Sequence, residues 1–296
     1  MSDGSLPALP TADQLRSEVR NWLRDNWTSL PRNVDPWTSS PERIAWLEKV
    51  LDAGFAVPTY PSDWFGRGYP ADLANIIAQE FAAAKAPGSR QDKYNIAANT
   101  TFALGTTTLK DDLLRDFLVE RARTCLLYSE PGAGSDLAAV RTTAVRHADR
   151  WVVNGQKVWT SLAQWAQWII LLVRTDFEAS KHLGITCLLV PMGLPGMTVN
   201  PIKTMNGDSP FCEIFFDNVR VPVANRLGGE GQGWDVTKHA LANERSSIAE
   251  VTGLYHLLSD LKEMARECRI NGRPSLEDPQ IRQRIAKLES TIEAMR

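Results

Sequence analysis

The sequence has little of what marks a metalloprotein, a secreted protein, a membrane protein or a nucleic-acid binder. Its four histidines, His147, His182, His239 and His256, form no spaced cluster. Its four cysteines, Cys125, Cys187, Cys212 and Cys268, are scattered, without the paired spacing of a metal site, and read as reduced thiols with two or three of them in cores. No apolar run approaches the ~20 residues needed to span a bilayer, and the longest, around Trp168–Val173, is strand-sized. A net charge of −2 with no run of Lys or Arg excludes a nucleic-acid footprint. Met1–Pro10 has neither a basic n-region nor an apolar h-region, so the expected location is the cytoplasm. There is no internal repeat and no low-complexity tract.

What remains is an ordinary soluble composition, 43% hydrophobic and 23% charged over 296 residues, enough for two or three compact units. The expected fold is α+β multidomain: an N-terminal α-helical domain (1–124), a central antiparallel β-sandwich or barrel (125–224), and the start of a C-terminal four-helix bundle (225–296). In the first part, Thr11 and Gln14 form a capping box ahead of Leu15, Val19, Trp22, Leu23 and Trp27 on one helical face. Ser40-Pro41 opens a second helix that stops at Gly54, and further helices are predicted over about 71–85 and 96–123. From about 125 the period changes to that of strands: 142–146, 151–153, 156–160, 168–174, 185–190, 197–201 and 213–221, with Asn154-Gly155 as a hairpin signal. A Gly-rich interdomain linker, Gly228–Gly233, leads back to helical period through Ile248, Val251, Leu254, Leu258, Leu261 and Met264. Asp278-Pro279 caps a last helix with Ile281, Ile285, Leu288, Ile292 and Met295 in phase. Its apolar stripe runs to the last residues, which predicts either an incomplete bundle or partner helices that cover it.

Two segments carry chemistry. Tyr128-Ser129-Glu130-Pro131-Gly132-Ala133-Gly134-Ser135-Asp136 is a glycine turn that leaves backbone N–H groups bare to an anion or a ring edge, with hydroxyls at Ser129 and Ser135. It is not a dinucleotide fingerprint, because it lacks the third glycine and the βαβ setting. Asn154-Gly155-Gln156-Lys157-Val158-Trp159-Thr160-Ser161 sets an aromatic plane beside two more hydroxyls. The Gly228–Gly233 run is no phosphate loop, since no Lys-Ser/Thr follows it.

Together with Arg174-Thr175-Asp176, Phe216-Asp217-Asn218-Val219-Arg220-Val221-Pro222 and Glu244-Arg245, these segments make five in-order blocks. The chain resembles the acyl-CoA dehydrogenase family in all five, over about residues 11–296. The resemblance implies FAD held between the strand domain and a C-terminal helical bundle, with an acyl-CoA thioester laid against the flavin. It implies cofactor contacts at Leu126, Tyr128, Ser129, Gly134, Ser135, Trp159, Thr160 and Ser161, and substrate contacts at Ser135 and Arg245. It implies α,β-dehydrogenation with electrons passed to an electron-transfer flavoprotein, and a homo- or hetero-oligomer, dimer or tetramer. The chemistry needs a carboxylate base whose pKa is raised by burial. In most of the family that Glu lies further downstream. A minority place it where Glu244 stands, with Arg245 orienting it.

There are departures. Ala242 stands where many relatives have a substrate-touching Asp, and Glu267–Arg273 does not match the family segment that reaches a neighbouring subunit's FAD. The Asp278–Gln283 pattern points to a subgroup acting on branched or ring-bearing acyl groups. Two alternatives stand beside the dehydrogenase: an acyl-CoA oxidase or other flavin oxidase on the same fold, and a non-catalytic or shortened subunit of a heteromeric dehydrogenase.

Overall fold

A computed structural model describes residues 9–30, 39–248 and 252–295, without side chains at 243–248, 252 and 256. The chain divides into two compact units, Met1–Glu244 and Arg245–Arg296.

The first unit opens with helices α1 (Ala12–Asn26), α2 (Pro41–Asp52), α3 (Ala71–Ala83), α4 (Gln91–Tyr94), α5 (Ile96–Leu104) and α6 (Thr107–Leu118). The capping box forms as the sequence predicts: Gln14 N–H donates to Thr11 Oγ1 at 3.3 Å, and Thr11 N–H donates to Gln14 Oε1 at 2.9 Å. Leu15, Val19 and Leu23 are buried on the inner face of α1. Ser40 caps α2 through Arg43 N–H at 3.2 Å, with Pro41 at the first helical position. The helix expected over 96–123 is instead two. Gly105 breaks it where the chain folds so tightly that a Cβ would sit 2.5 Å from the Thr101 carbonyl, and Thr106 caps the new helix.

An eight-stranded sheet follows: β1 (Thr124–Leu127), β2 (Thr143–His147), β3 (Arg150–Ser161), β4 (Trp168–Arg174), β5 (Ile185–Pro191), β6 (Met197–Ile202), β7 (Phe211–Pro222) and β8 (Arg226–Leu227). Its order is β6-β7-β3-β2-β4-β5-β8, with β1 on β4. The pairs are antiparallel except β1 with β4 and the single β2–β4 pair. β4 and β5 are buried on both faces. Ile170, Leu172, Ile185, Cys187 and Leu189 join the core of the N-terminal helices, whereas Ile169, Leu171, Val173, Leu188 and Val190 join Trp151, Val153, Ile214, Phe216, Val219 and Val221 of β3 and β7. The sheet therefore curls onto itself on one side and carries the helices on the other. That explains why these two strands read as continuous apolar runs.

Asn154-Gly155 is not a hairpin turn. β3 runs unbroken through it, with a register irregularity against β7 between Val153 and Gly155. Asn154 Oδ1 accepts the Asn218 N–H of β7 at 2.8 Å, which holds the pair inside the strand. The expected Gly-rich linker is packed down: Gly228 N–H donates to the Leu104 carbonyl at 2.8 Å and Gly231 N–H to Thr186 Oγ1 at 3.0 Å. It leads into α7 (Gly233–Ile248), where Val236 and Ala240 are buried.

The second unit holds α8 (Thr252–Glu267), the short strands β9 (Arg269–Ile270) and β10 (Arg273–Pro274), and α9 (Pro279–Ala294). Asp278 caps α9 through Gln280 and Ile281 N–H. Leu258, Ala265, Ile285 and Ile292 form its core, flanked by Leu254, Leu261 and Ile281. Met264, Leu288 and Met295, which the sequence places on the apolar stripes, are 55%, 49% and 59% exposed. Ile248 and Val251 fall outside the described side chains.

Candidate active site

The two chemical segments of the sequence meet in the first unit. β1 delivers the chain to Tyr128 and Ser129, and the Ser129 carbonyl accepts Val158 N–H of β3 at 3.0 Å. Leu126 is half-buried on β1 against the helical core, Tyr128 is buried and Ser129 half-buried. The chain then turns: Glu130 N–H donates to the Ala133 carbonyl at 2.9 Å and Ala133 N–H to the Glu130 carbonyl at 3.0 Å. Gly134 and Ser135 are exposed in that turn. Among the described residues, a Cβ added at Gly132 or Gly134 would meet nothing within 4 Å beyond its own chain neighbours. These glycines therefore leave room on the outer side of the turn rather than fit a tight protein contact.

β3 carries the other half. Side chains at Trp151, Val153 and Lys157 point inward with the two-residue period of a strand. Continuing, that period buries residue 159. Instead a register shift between Lys157 and Thr160 inserts a bulge, Trp159 adopts φ 61°, and its indole is 60% exposed. Phe211 of β7 stands edge-on to it, with ring centroids 6.1 Å apart. Thr160 turns inward, 2% exposed, and its Oγ1 finds no hydrogen-bond partner among the described residues. Ser161 is exposed. Bulges and left-handed non-glycine residues concentrate at functional sites because they re-aim side chains at a local energetic cost.

Beneath this surface lies a charged pair to which the sequence reading gave no role. Lys157 is fully buried, and its Nζ donates to Glu130 Oε1 at 2.8 Å and to the Tyr128 carbonyl at 3.0 Å. Glu130 also accepts Arg141 N–H at 2.7 Å and Thr142 N–H at 2.9 Å. Burial pushes the Glu130 carboxyl up, but Lys157 and the two N–H groups outweigh it and hold it below the ordinary carboxylate range. Burial pulls the Lys157 ammonium down to about 8 despite Glu130. Arg174, also buried, donates to the carbonyls of Ala138 at 2.6 Å, Val140 at 3.3 Å and Lys181 at 2.9 Å, and so pins the segment downstream of the turn. The signal for Lys157 was in the sequence, as a charge at an inward position of an alternating strand.

Glu244 and Arg245 stand in α7 by their backbone, and their side chains lie outside the described residues. Burial pushes the Cys125 and Cys187 thiols up to about 12, which leaves them unreactive packing groups. Among the described residues no group of three or more His, Cys, Asp or Glu is placed to hold a metal ion, and no helix is long and apolar enough to cross a membrane.

The acyl-CoA dehydrogenase middle domain matches residues 125–219, and the acyl-CoA dehydrogenase C-terminal domain matches residues 231–296. The chain belongs to the acyl-CoA dehydrogenase family. It is 36% identical over 298 residues to acyl-CoA dehydrogenase IpdE1 of Mycobacterium tuberculosis, covering 96% of this chain and 75% of that one. It is 32% identical over 291 residues to cyclohexane-1-carbonyl-CoA dehydrogenase of Syntrophus aciditrophicus, covering 94% and 73%. Among solved structures, the ChsE4–ChsE5 complex from Mycobacterium tuberculosis superposes with a TM-score of 0.70 at 32% identity, covering 98% of this chain and 75% of the other. The Tcur3481–Tcur3483 steroid ACAD gives 0.71 at 28% identity, covering 96% and 73%. The family places the chain among oxidoreductases that are acyl-CoA dehydrogenases, and the mixed helix–sheet–helix fold agrees with it. This acyl-CoA dehydrogenase thus spans about three quarters of the length of those relatives.

Proposed function

We propose that the chain binds FAD and dehydrogenates a ring-bearing acyl-CoA thioester at its α and β carbons, with electrons leaving to an electron-transfer flavoprotein. The observation that carries this is the Trp159 bulge: an exposed indole at φ 61°, the unpartnered Thr160 hydroxyl beside it, and the open glycine turn tied to the same strand through Ser129. The residues present fit a flat, anionic, hydrogen-bonding cofactor. Ser129, Thr160 and Ser161 would offer hydroxyls to the ring edge, Trp159 would cover a face and exclude water, and Gly134 and Ser135 would approach a phosphate with backbone N–H and hydroxyl. FAD, when bound, supplies the acceptor for the hydride from the β carbon. Glu244 is the carboxylate of this chain that would take the α proton, with Arg245 orienting it and touching substrate. Hydrogen bonds to the thioester oxygen would stabilise the developing enolate.

The ring-bearing substrate class is favoured by the names of the relatives, one acting on cyclohexane-1-carbonyl-CoA and one called a steroid ACAD. The two-chain names of both solved structures favour assembly with a second acyl-CoA dehydrogenase chain. Purified protein should be yellow and hold FAD, and anaerobic addition of a ring-bearing acyl-CoA should bleach it. A colourless protein that takes up no FAD overturns the proposal. Fast peroxide release on mixing with oxygen turns it into the oxidase reading. Flavin reduction that survives Glu244→Gln moves the base elsewhere.

A further inference from the structure

The ammonium of Lys157 holds together three stretches that are distant in sequence. It donates to the Tyr128 carbonyl and to Glu130, Glu130 in turn grips the N–H groups of Arg141 and Thr142, and Lys157 itself lies on β3 two residues before the bulge. The loop from 130 to 142 is thereby closed at its base, and Thr142 Oγ1 donates to the Gln156 carbonyl at 3.1 Å to seal it against β3. A buried ion pair of this kind recovers its desolvation cost only in part, and replacing both partners by neutral groups is often neutral or stabilising. Burial does pull the Lys157 ammonium down to about 8, so its charged form is less favourable here than in water. Stability alone does not account for it.

We propose that Lys157 is a positioning residue, whose ammonium, with Glu130, fixes the Tyr128–Ser129 backbone against the Trp159–Thr160 bulge and sets the shape of the Gly132–Ser135 turn. The proposal rests on the flavin reading for its purpose, but its geometry is tested on the chain itself. The double variant Lys157→Met with Glu130→Gln removes both charges. Its melting temperature is expected to match or exceed that of the wild type. Amide hydrogen exchange across 128–142 and 158–161 is expected to accelerate at least tenfold together, with exchange in β4 and β5 unchanged, and the Kd for FAD is expected to rise at least tenfold.

Wild-type exchange in both segments with a wild-type FAD Kd overturns the proposal. So does a lower melting temperature with exchange rising across the whole sheet, which is what a purely structural pair gives. If the wild type binds no FAD, the functional reading fails while the exchange comparison still decides the positioning. If the double variant does not fold, the wild type decides: protection factors over 128–142 should fall between pH 7 and 9, as Lys157 gives up its proton, while those of β4 and β5 hold. The groups facing Lys157 are the Tyr128 carbonyl, Glu130 and Cys187, and neither Glu130, held below the carboxylate range, nor the Cys187 thiol, at about 12, titrates in that window. Unchanged protection overturns the proposal.

Discussion

Trp159 occupies a backbone conformation, φ 61°, that costs an L-residue about 1–2 kcal/mol and costs glycine almost nothing. Two truncations separate the ring from that strain. Trp159→Ala removes the ring and keeps the Cβ, and Trp159→Gly removes both. The glycine variant loses about 0.4–1 kcal/mol through the freer unfolded chain, so a net advantage of about 1 kcal/mol over the alanine variant in urea unfolding is expected. Both variants should bind FAD more weakly than the wild type. A glycine variant less stable than the alanine variant by about 0.4–1 kcal/mol would show that position 159 carries no strain. The sequence marked the aromatic as the wall of a flavin site, and the structure exposes the ring, but the bulge that turns it out was not legible. A bulge changes the inward–outward phase of a strand without leaving a residue that announces it, and only the register with β7 reveals the shift. Lys157 went unassigned for a related reason: a charge at an inward position looks like a phase error until its partner, 27 residues away at Glu130, is seen.

Elements show the same division between local and distant causes. Helix starts set by Thr11, Ser40 and Asp278 were readable because a cap depends on three or four neighbouring residues. The same asparagine–glycine dipeptide gave opposite outcomes. At Asn271-Gly272 both residues have positive φ and make the β9–β10 turn, whereas Asn154 stays extended because Asn218 of β7 holds its side chain. Gly155 has φ 144°, and a Cβ there would lie 2.7 Å from Thr142 Cα, so Gly155→Ala should destabilise the first unit by about 2–3 kcal/mol through overlap and backbone strain. Thermal unfolding checks this; a change near zero would mean that β2 and β3 part easily there.

A second element-level test concerns Glu120, which follows α6 and ties it to α2. Burial raises its carboxyl pKa, but the paired hydrogen bonds from Arg43, the Ser39 hydroxyl, and the charges of Arg43 and Arg123 hold it below the ordinary value. A lowered carboxyl pKa contributes stability that is complete above the unfolded-state value and is lost as pH falls through the folded-state one. Glu120→Gln should therefore cost about 1 kcal/mol at pH 7 and flatten the decline in stability below about pH 4.5. An unaltered acid limb in chemical denaturation would place that stabilisation elsewhere.

At the scale of the whole molecule, the order of helices, sheet and helices was legible because hydrophobic period changes at each transition. The parallel pairing of β1 with β4 was not, since 44 residues separate Thr124 from Trp168 and nothing local to either strand specifies it. The second unit contains the α8–α9 hairpin. Its small core buries Leu258, Ala265, Ile285 and Ile292, while Leu257, Met264, Leu288 and Met295 stay 49–66% exposed. Leu257 and Met264 lie seven residues apart on α8, as do Leu288 of α9 and Met295, the residue that caps its C-terminus, so each pair lines one edge of its helix. Apolar edges of that length on a helical hairpin favour association, because covering them removes each side chain from water at about 25 cal/mol per Å². At micromolar concentration the 32.9 kDa chain should sediment as a dimer or tetramer, and Met264→Lys with Leu288→Lys should return it to the monomer. Lysine at those two exposed sites leaves the hairpin's own core intact, so the second unit should keep its helical signal and cooperative melt. A wild-type monomer that stays soluble would overturn the prediction, and an oligomer indifferent to both lysines would assign association to another surface.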